Sequence, residues 1–324
     1  MYVPFSIIIL VKKNRPYIRV NSKWLMPESE VSIMERTVFF EEVVKELNKR
    51  GFATETKVIE KNGVNRFGVM VGDSNCKPTV YLDDFFNEGK SVSESVDIII
   101  SQVESAEENK PGIDGIVSLI EDTNEVLKRI RVFVSKKGTY KDYIRREENG
   151  ITLTIAILLG ETPNNTYGSI RVKREMLDKW NIEEEDLWKV AKANSENFVE
   201  IKGMSETMVE MMGREQAEML GMIIPKEEEQ MLVVSSPNKV NGAYAAFTEK
   251  VREYVKNTFR TDKYFVLPSS IHECIIIPYS ADVVDKGKTD EENLKTLAQM
   301  VKEVNETQVA EEEQLADTPL LMAI

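Results

Sequence analysis

The first strong pattern of apolar and polar residues begins at Met34. Apolar residues then recur at helical spacing up to Gly51, at Val38, Phe39, Val43, Val44 and Leu47. Residues that are three or four apart lie on the same side of an α-helix, so this spacing predicts an amphipathic helix over 36–50. Gly51 is a typical residue for the end of such a helix.

A β-hairpin is the next predicted element. Asn62-Gly63 favours a two-residue type I′ turn because both turn positions need a positive φ. This turn pairs Val58 with Phe67, Thr56 with Val69 and Thr54 with Val71, and these pairs predict one apolar face. A strand over 79–82 and a helix over 91–105 follow. The pattern therefore predicts a small helix–hairpin–helix module over residues 34–108.

Helices and strands are mixed in the rest of the chain, over residues 113–324. The predicted helices are 123–135, 174–180, 182–193, 205–220, 247–258 and 289–304, and the predicted strands are 151–159, 169–172, 231–235, 263–267 and 271–277. Asp122 is a typical N-cap for the first of these helices. Strands 263–267 and 271–277 are joined by a short Pro-Ser-Ser turn, so we expect them to share one sheet with 231–235. We predict an α+β fold with a larger mixed α/β C-terminal portion.

Residues 1–33 differ in charge from the rest of the chain. They carry five basic and two acidic side chains, whereas the remaining residues carry a large acidic excess. One interpretation is that this extension adds an edge strand, over 6–11, to the first sheet. The other is that Met34 is the true start of the protein and that the preceding residues are translated upstream sequence.

Composition excludes several classes of site. The net charge is −13, and the chain has one histidine and two cysteines, Cys76 and Cys274. A single imidazole excludes HExxH zinc enzymes and His-paired zinc fingers, and no phosphate-binding loop or CxxC pair occurs. We therefore expect no cofactor and no metal. We also expect a cytoplasmic protein, because secreted disulfide scaffolds need many more cysteines. No apolar run approaches the ~20 residues that span a bilayer, so no membrane contact is expected.

The densest cluster of chemically reactive residues lies at Ser270–Cys274. It contains the candidate catalytic residues Ser270, His272, Glu273 and Cys274. A Cys–His pair can form an activated thiolate. In a strand, however, residues two apart are separated by roughly 7 Å, because the rise is about 3.3 Å per residue. A buried strand with a hydrogen-bonded imidazole and a packed thiol is therefore the favoured interpretation.

A basic segment, residues 128–146, contains eight basic side chains and one acidic residue, with interleaved aromatic residues. Basic and aromatic side chains together suit phosphate contact and base stacking. The candidate anion-binding residues are Lys136, Lys137, Arg145 and Arg146. The rest of the chain is acidic and repels a polyanion, so we favour a solvated face that pairs with the acidic segments 183–186 or 227–229.

Methionines are concentrated in one part of the C-terminal portion. Six of the fourteen fall within 19 residues, at Met204, Met208, Met211, Met212, Met219 and Met222. Methionine fills irregular cores and also lines adaptable grooves for partner proteins. The helical spacing favours core filling.

Five segments carry a family resemblance: Lys61–Val64, Pro78–Leu82, Ile170–Trp180 leading into Glu183–Leu187, Leu267–Glu273 and Glu303–Val309. On these segments the chain resembles DUF5688, an uncharacterised bacterial family of unknown function. The resemblance runs from about Met34 to Asp317, which favours the Met34 start. It implies no activity; such families often lie near mobile elements. Residues 317–324 lack the tyrosine-rich polar tail that the resemblance leads us to expect.

We therefore expect a non-catalytic binding or accessory protein, and we favour a protein partner over nucleic acid. One alternative is a thiol- or hydroxyl-dependent hydrolase that uses His272 with Cys274 or Ser270. A second alternative is nucleic-acid binding through the basic segment.

Overall fold

The computed structural model describes residues 30–72, 79–108, 113–161, 167–225 and 228–324. These residues form two compact units, of which the smaller ends at Ser118 and the larger begins at Leu119. The predicted strand over 6–11 and Cys76 lie outside the described residues, as does most of the N-terminal extension.

The smaller unit is a three-stranded antiparallel sheet packed against helices. Its elements are α1 Glu30–Lys49, β1 Thr54–Lys61, β2 Val64–Val71, β3 Thr79–Tyr81, α2 Leu82–Asn87 and α3 Val92–Glu108, with strand order β1-β2-β3. Its core joins side chains of α1, β2, α2 and α3: Phe40, Val43, Leu47, Val69, Val71, Leu82, Phe85, Val96, Ile99 and Val103. The apolar side of α1 packs into this core, chiefly against α3, although Val38 is 46% exposed.

The predicted hairpin is confirmed, including its register. Val58 pairs with Phe67, and Asn62 and Gly63 adopt φ values of 50° and 84°. The predicted apolar face is buried only on β2, where Val69 and Val71 are fully covered. Val58 is 59% exposed because β1 is the edge strand and the core residues come from β2 and the helices.

The larger unit contains two antiparallel sheets. The boundary between the units lies within α4, Ile113–Glu121. The following elements belong to the larger unit: α5 Thr123–Arg129, β4 Ile130–Lys136, β5 Arg145–Glu148, β6 Ile151–Glu161, β7 Tyr167–Arg171, α6 Arg174–Trp180, α7 Glu184–Glu196, β8 Glu200–Gly203, α8 Met204–Met212, α9 Arg214–Met219, β9 Leu232–Ser235, α10 Glu249–Phe259, β10 Lys263–Leu267, β11 Glu273–Pro278, α11 Asp290–Thr307 and β12 Leu320–Ala323. One sheet has the order β12-β10-β11-β9-β8; in the other, β6 pairs with β4, β5 and β7.

The sequence prediction of one helix over 123–135 is wrong in its second half. Asp122 does cap a helix, since its carboxylate accepts hydrogen bonds from the N–H groups of Asn124 and Glu125. The helix ends at Arg129, and the following residues form β4 in register with β6. Ile130 and Val134 are spaced for a helix, but with Val132 they also fit the two-residue period of a strand, and pairing with β6 decided between the two.

The structure confirms that three late strands share one sheet, as predicted for residues 231–235, 263–267 and 271–277. Strand β11 lies between β10 and β9. This sheet is buried on both faces. Tyr264, Val266, Cys274 and Ile276 enter the main core, whereas Phe265, Leu267, Ile275 and Ile277 pack with Leu297 and Val301 of α11. Burial on both faces explains why these strands are continuous apolar runs.

Several short elements were not predicted from the sequence, namely α2, β5, β8 and β12. Each has six residues or fewer, and a segment of that length carries little periodic signal. The combination of helices with antiparallel sheets confirms the predicted α+β class. In the part of the chain that the structure describes, no helix combines the length and apolar character that crossing a bilayer requires.

Candidate functional site

Of the candidate catalytic residues, Ser270 and His272 lie in the turn between β10 and β11, and Glu273 and Cys274 begin β11. The C-terminal segment holds the turn in place: the Ile271 N–H donates to the Glu313 carbonyl at 2.8 Å, and the Leu315 N–H donates to the Ser269 carbonyl at 3.1 Å. Ser270 is almost fully buried and forms an isolated β-bridge with Gln314. The Ser270 hydroxyl accepts a hydrogen bond from the His272 N–H at 3.0 Å, as in a local turn.

Both ring nitrogens of His272 face groups of the protein. Its Nδ1 accepts a hydrogen bond from the Asn241 N–H at 3.1 Å, and its Nε2 lies 3.6 Å from Oε1 of Glu313. The His272 carbonyl accepts two further bonds, from the Gly242 N–H and the Ser235 hydroxyl. His272 therefore joins the 236–242 loop, the end of β9 and the segment around Glu313.

Cys274 lies in the main core, away from solvent. Its Sγ is 3.7 Å from the Ala243 carbonyl, to which the thiol donates. Burial raises the pKa of the Cys274 thiol, and the carboxylate of Glu273 raises it further. Burial likewise raises the pKa of the Glu273 carboxyl, against the opposing effects of His272 and Lys239. A nucleophilic thiolate needs a lowered pKa and access to substrate, so this geometry favours a structural role for Cys274.

The basic segment 128–146 is largely paired within the protein. Arg146 forms an ion pair with Glu185, which belongs to the acidic segment 183–186, and lies over the Trp188 ring at 4.8 Å. Arg145 pairs with Glu147 at 2.8 Å, and Lys136 donates to the Glu311 carbonyl at 2.9 Å. Lys137 and Lys141 are exposed to solvent.

The methionine-rich region is not one helix in the core, as its spacing predicted. It is broken at Gly213, where φ is 85° and ψ is 154°, into α8 and the short helix α9. Of the six methionines, only Met208 is buried. A glycine adopts this backbone conformation readily, whereas other residues do not.

The end of α9 presents an apolar surface, which consists of Met219, Leu220, Met222, Ile223 and Ile224. Met219 is 87% exposed, Leu220 46% and Ile224 38%. The surface is held by a Schellman motif, in which the Met222 N–H donates to the Ala217 carbonyl and the Gly221 N–H to the Glu218 carbonyl. Sequence reasoning missed it, although the apolar run 219–224 is too continuous for one side of a helix.

The described residues also contain an open groove of about 270 Å³ along α1, lined by Glu35, Val38, Phe39 and Glu42. Within those ranges no group of three or more His, Cys, Asp or Glu side chains could hold a metal ion. A cavity of about 20 Å³ beside the 236–242 loop, lined in part by Arg131, Phe198 and Asn241, is large enough for a water molecule. A metabolite needs several hundred Å³.

One comparison with known proteins gives a match. A family model described as a family of unknown function, DUF5688, matches residues 36–320. No curated protein and no solved structure matches the chain.

Proposed function

Since the chain belongs to DUF5688, a family of unknown function, we propose from its geometry that it is a non-catalytic binding protein that docks a protein partner on the apolar surface 219–224. The observation that carries the proposal is the exposure of Met219 beside Leu220 and Ile224. Isolated exposed apolar residues are common in soluble proteins, whereas three within six residues support an interaction site.

The underlying structure makes this surface a stable platform. Helix α8 packs against β8 and β9, and its residue Met208 is buried. Lys202 of β8 forms an ion pair with Glu210 of α8. At the far end of the surface, the Ile224 N–H donates to the Ser205 hydroxyl at 3.2 Å. The backbone is therefore fixed while the methionine side chains stay adaptable, which is a combination typical of protein-docking sites.

The environment of the reactive residues supports the non-catalytic part of the proposal. His272 is bonded to Asn241 and faces Glu313, and Cys274 donates to a carbonyl in the core. None of these contacts activates a nucleophile. The net charge of −13 and the low cysteine content support a cytoplasmic location, which belongs to the same proposal.

Site-specific photo-crosslinking tests the docking surface. Met219 is replaced by p-benzoylphenylalanine in the full chain, and cells of the organism that carries the gene are irradiated. The matched control places the same residue at Val58, which is also an exposed apolar position but lies in the smaller unit. We expect one discrete adduct with a different protein from position 219, and its loss when Leu220→Glu is added.

Two results would contradict the proposal. Adducts from position 219 that match those from position 58 would show that the surface has no particular partner. An adduct that contains only two copies of this chain would show that the surface serves self-association.

A further inference from the structure

We infer that the segment docked on the apolar surface 219–224 is a basic amphipathic helix. This inference rests on the proposed function and specifies the chemistry of the partner. It is carried by two exposed carboxylates, those of Glu206 and Glu215, that flank the apolar surface.

The two carboxylates belong to the two helices that adjoin the surface, Glu206 to α8 and Glu215 to α9. Glu215 precedes Met219 by four residues, so the two side chains are neighbours on α9. Glu206 follows Ser205, whose hydroxyl binds the N–H of Ile224 at the other end. An apolar surface that adjoins two exposed carboxylates suits an apolar face that is flanked by positive charges.

These carboxylates are available to a partner. Neither Glu206 nor Glu215 has an ion-pair or hydrogen-bond partner within the described ranges. Their neighbour Glu218, by contrast, pairs with Arg214 at 3.0 Å, and Glu210 pairs with Lys202. A lysine or arginine from a partner would therefore meet two free carboxylates without breaking an existing pair.

Backbone bonding favours a helical partner over an extended one. The N–H groups of Leu220, Gly221 and Met222 donate to carbonyls within α9, and that of Ile224 donates to Ser205. An added strand needs a row of free backbone groups with which to pair, and four of the five N–H groups of residues 220–224 already have acceptors. A helix satisfies its own backbone and presents side chains three and four residues apart. The surface therefore suits side-chain docking by a helix.

The same charges disfavour the other occupants of an apolar surface. A two-fold dimer through this surface brings each carboxylate towards an equivalent set on the second copy. The two carboxylates, and the net charge of −13, repel an anionic membrane.

Fluorescence anisotropy with designed peptides tests the inference on the full chain. The probe is a labelled helical peptide of about 18 residues with leucine on one face and lysine elsewhere. Two control peptides are a leucine–glutamate version and a scrambled leucine–lysine version of the same composition. Titrations are run at about 50 mM and about 300 mM salt, because screening separates charge contacts from apolar ones.

Three variants accompany the wild-type chain: the double variant Glu206→Gln with Glu215→Gln, the single variant Leu220→Gln, and the control Glu303→Gln. Glu303 is an exposed carboxylate on α11, which lies against β10 and β12 at the opposite edge of the sheet from α8. Circular dichroism and urea unfolding verify that each variant is folded.

We expect the leucine–lysine peptide to bind and the two control peptides to bind at least tenfold more weakly. The double variant should lose about fivefold in affinity at low salt and little at high salt, as for surface charge pairs. Leu220→Gln should lose about tenfold or more at both salt concentrations, as for a buried apolar contact. Glu303→Gln should bind like the wild type.

The inference is wrong if the leucine–glutamate peptide binds as tightly, or if the double variant binds like the wild type. If Leu220→Gln still abolishes binding in that case, the proposed docking surface stands and only the basic character of the partner fails. Equal binding of the scrambled peptide, or no binding by any peptide, also overturns the inference. The photo-crosslinking result at position 219 then decides the proposed function separately.

Discussion

The imidazole of His272 accepts a hydrogen bond from the Asn241 backbone and faces the Glu313 carboxylate. The segments that contain Asn241 and Glu313 both lie outside β11, the strand that carries Cys274. Residue identity alone placed His272 and Cys274 together as a candidate catalytic pair, since both are uncommon in this chain. In the fold, the His272 side chain joins two loops and the Cys274 side chain fills the core, so the two have different surroundings.

The accessibility of Cys274 can be measured directly. In a Cys76→Ser chain, we expect Cys274 to resist iodoacetamide at neutral pH and to react only as urea unfolds the protein. The physical reason is that the thiol is fully buried and that burial raises its pKa, so little thiolate is exposed. Native labelling at the rate of a free thiol such as glutathione would instead support the thiol-dependent hydrolase alternative.

The raised pKa of Glu273 predicts that the stability of the protein depends on pH. Burial raises its pKa in the folded state above the unfolded value of about 4.5. A carboxyl with a raised pKa destabilises the folded state at pH values above both pKa values, and has no such effect below the unfolded value. We therefore expect Glu273→Gln to raise the urea midpoint at about pH 7, and the gain to disappear as the pH falls to about 3.5.

The exposed carboxylate of Glu303 provides the matched control for the loss of one charge. A gain of equal size in Glu303→Gln, or a gain from Glu273→Gln that persists at low pH, would show that burial of Glu273 is not the cause.

At the level of the element, helix ends determine what the methionine-rich region exposes. Gly213 separates α8 from α9, and Gly221, with φ of 65°, ends α9. A continuous helix would have turned the methionines of both segments towards one side. The break leaves Met208 in the core and Met219 in solvent.

The N-terminus of α11 allows a quantitative test of capping. Thr289 accepts a hydrogen bond from the Glu292 N–H, and the Glu292 carboxylate accepts one from the Thr289 N–H, which is a complete capping box. We expect Thr289→Ala to lower the free energy of unfolding by about 1 kcal/mol in urea denaturation. Thr296→Ala, at an exposed position inside the same helix, should cost less; an equal loss in both variants would contradict a capping role.

At the scale of the whole molecule, the core is divided among separate clusters. The smaller unit has a cluster of its own, and the five-stranded sheet separates two clusters in the larger unit. Charge is also unevenly distributed: the basic segment 128–146 lies in a chain with a net charge of −13. This total governs encounters with other macromolecules through its long-range potential.

The charge distribution predicts weak binding to nucleic acid. Arg145 and Arg146 are paired with Glu147 and Glu185, so phosphate contact would have to replace existing ion pairs. We expect no sub-micromolar binding to single-stranded DNA or RNA in a low-salt gel shift. Tight binding that is lost in the double variant R145E/R146E but kept in the control K295E would overturn this expectation and support the nucleic-acid alternative.

The sequence by itself determined the hairpin and the pairing of the late strands. Asn62-Gly63 favours one turn type, and that turn leaves a single register for residues 54–71, which the structure confirms. The short turn before Ile271 likewise left β10 and β11 few ways to lie other than side by side. In these places the deciding interactions are local, so residue type and spacing contain the necessary information.

Where the sequence pattern was ambiguous, only the tertiary structure decided which element formed and which side chains were buried. Ile130 and Val134 suit a helix as well as a strand, and the hydrogen bonds offered by β6 selected the strand. The methionine spacing suited a core, but whether a side chain is covered depends on what other segments lie above it. Nothing in the described chain covers Met219, which is 87% exposed. Burial is a property of contacts between distant segments, and a periodic pattern does not contain that information.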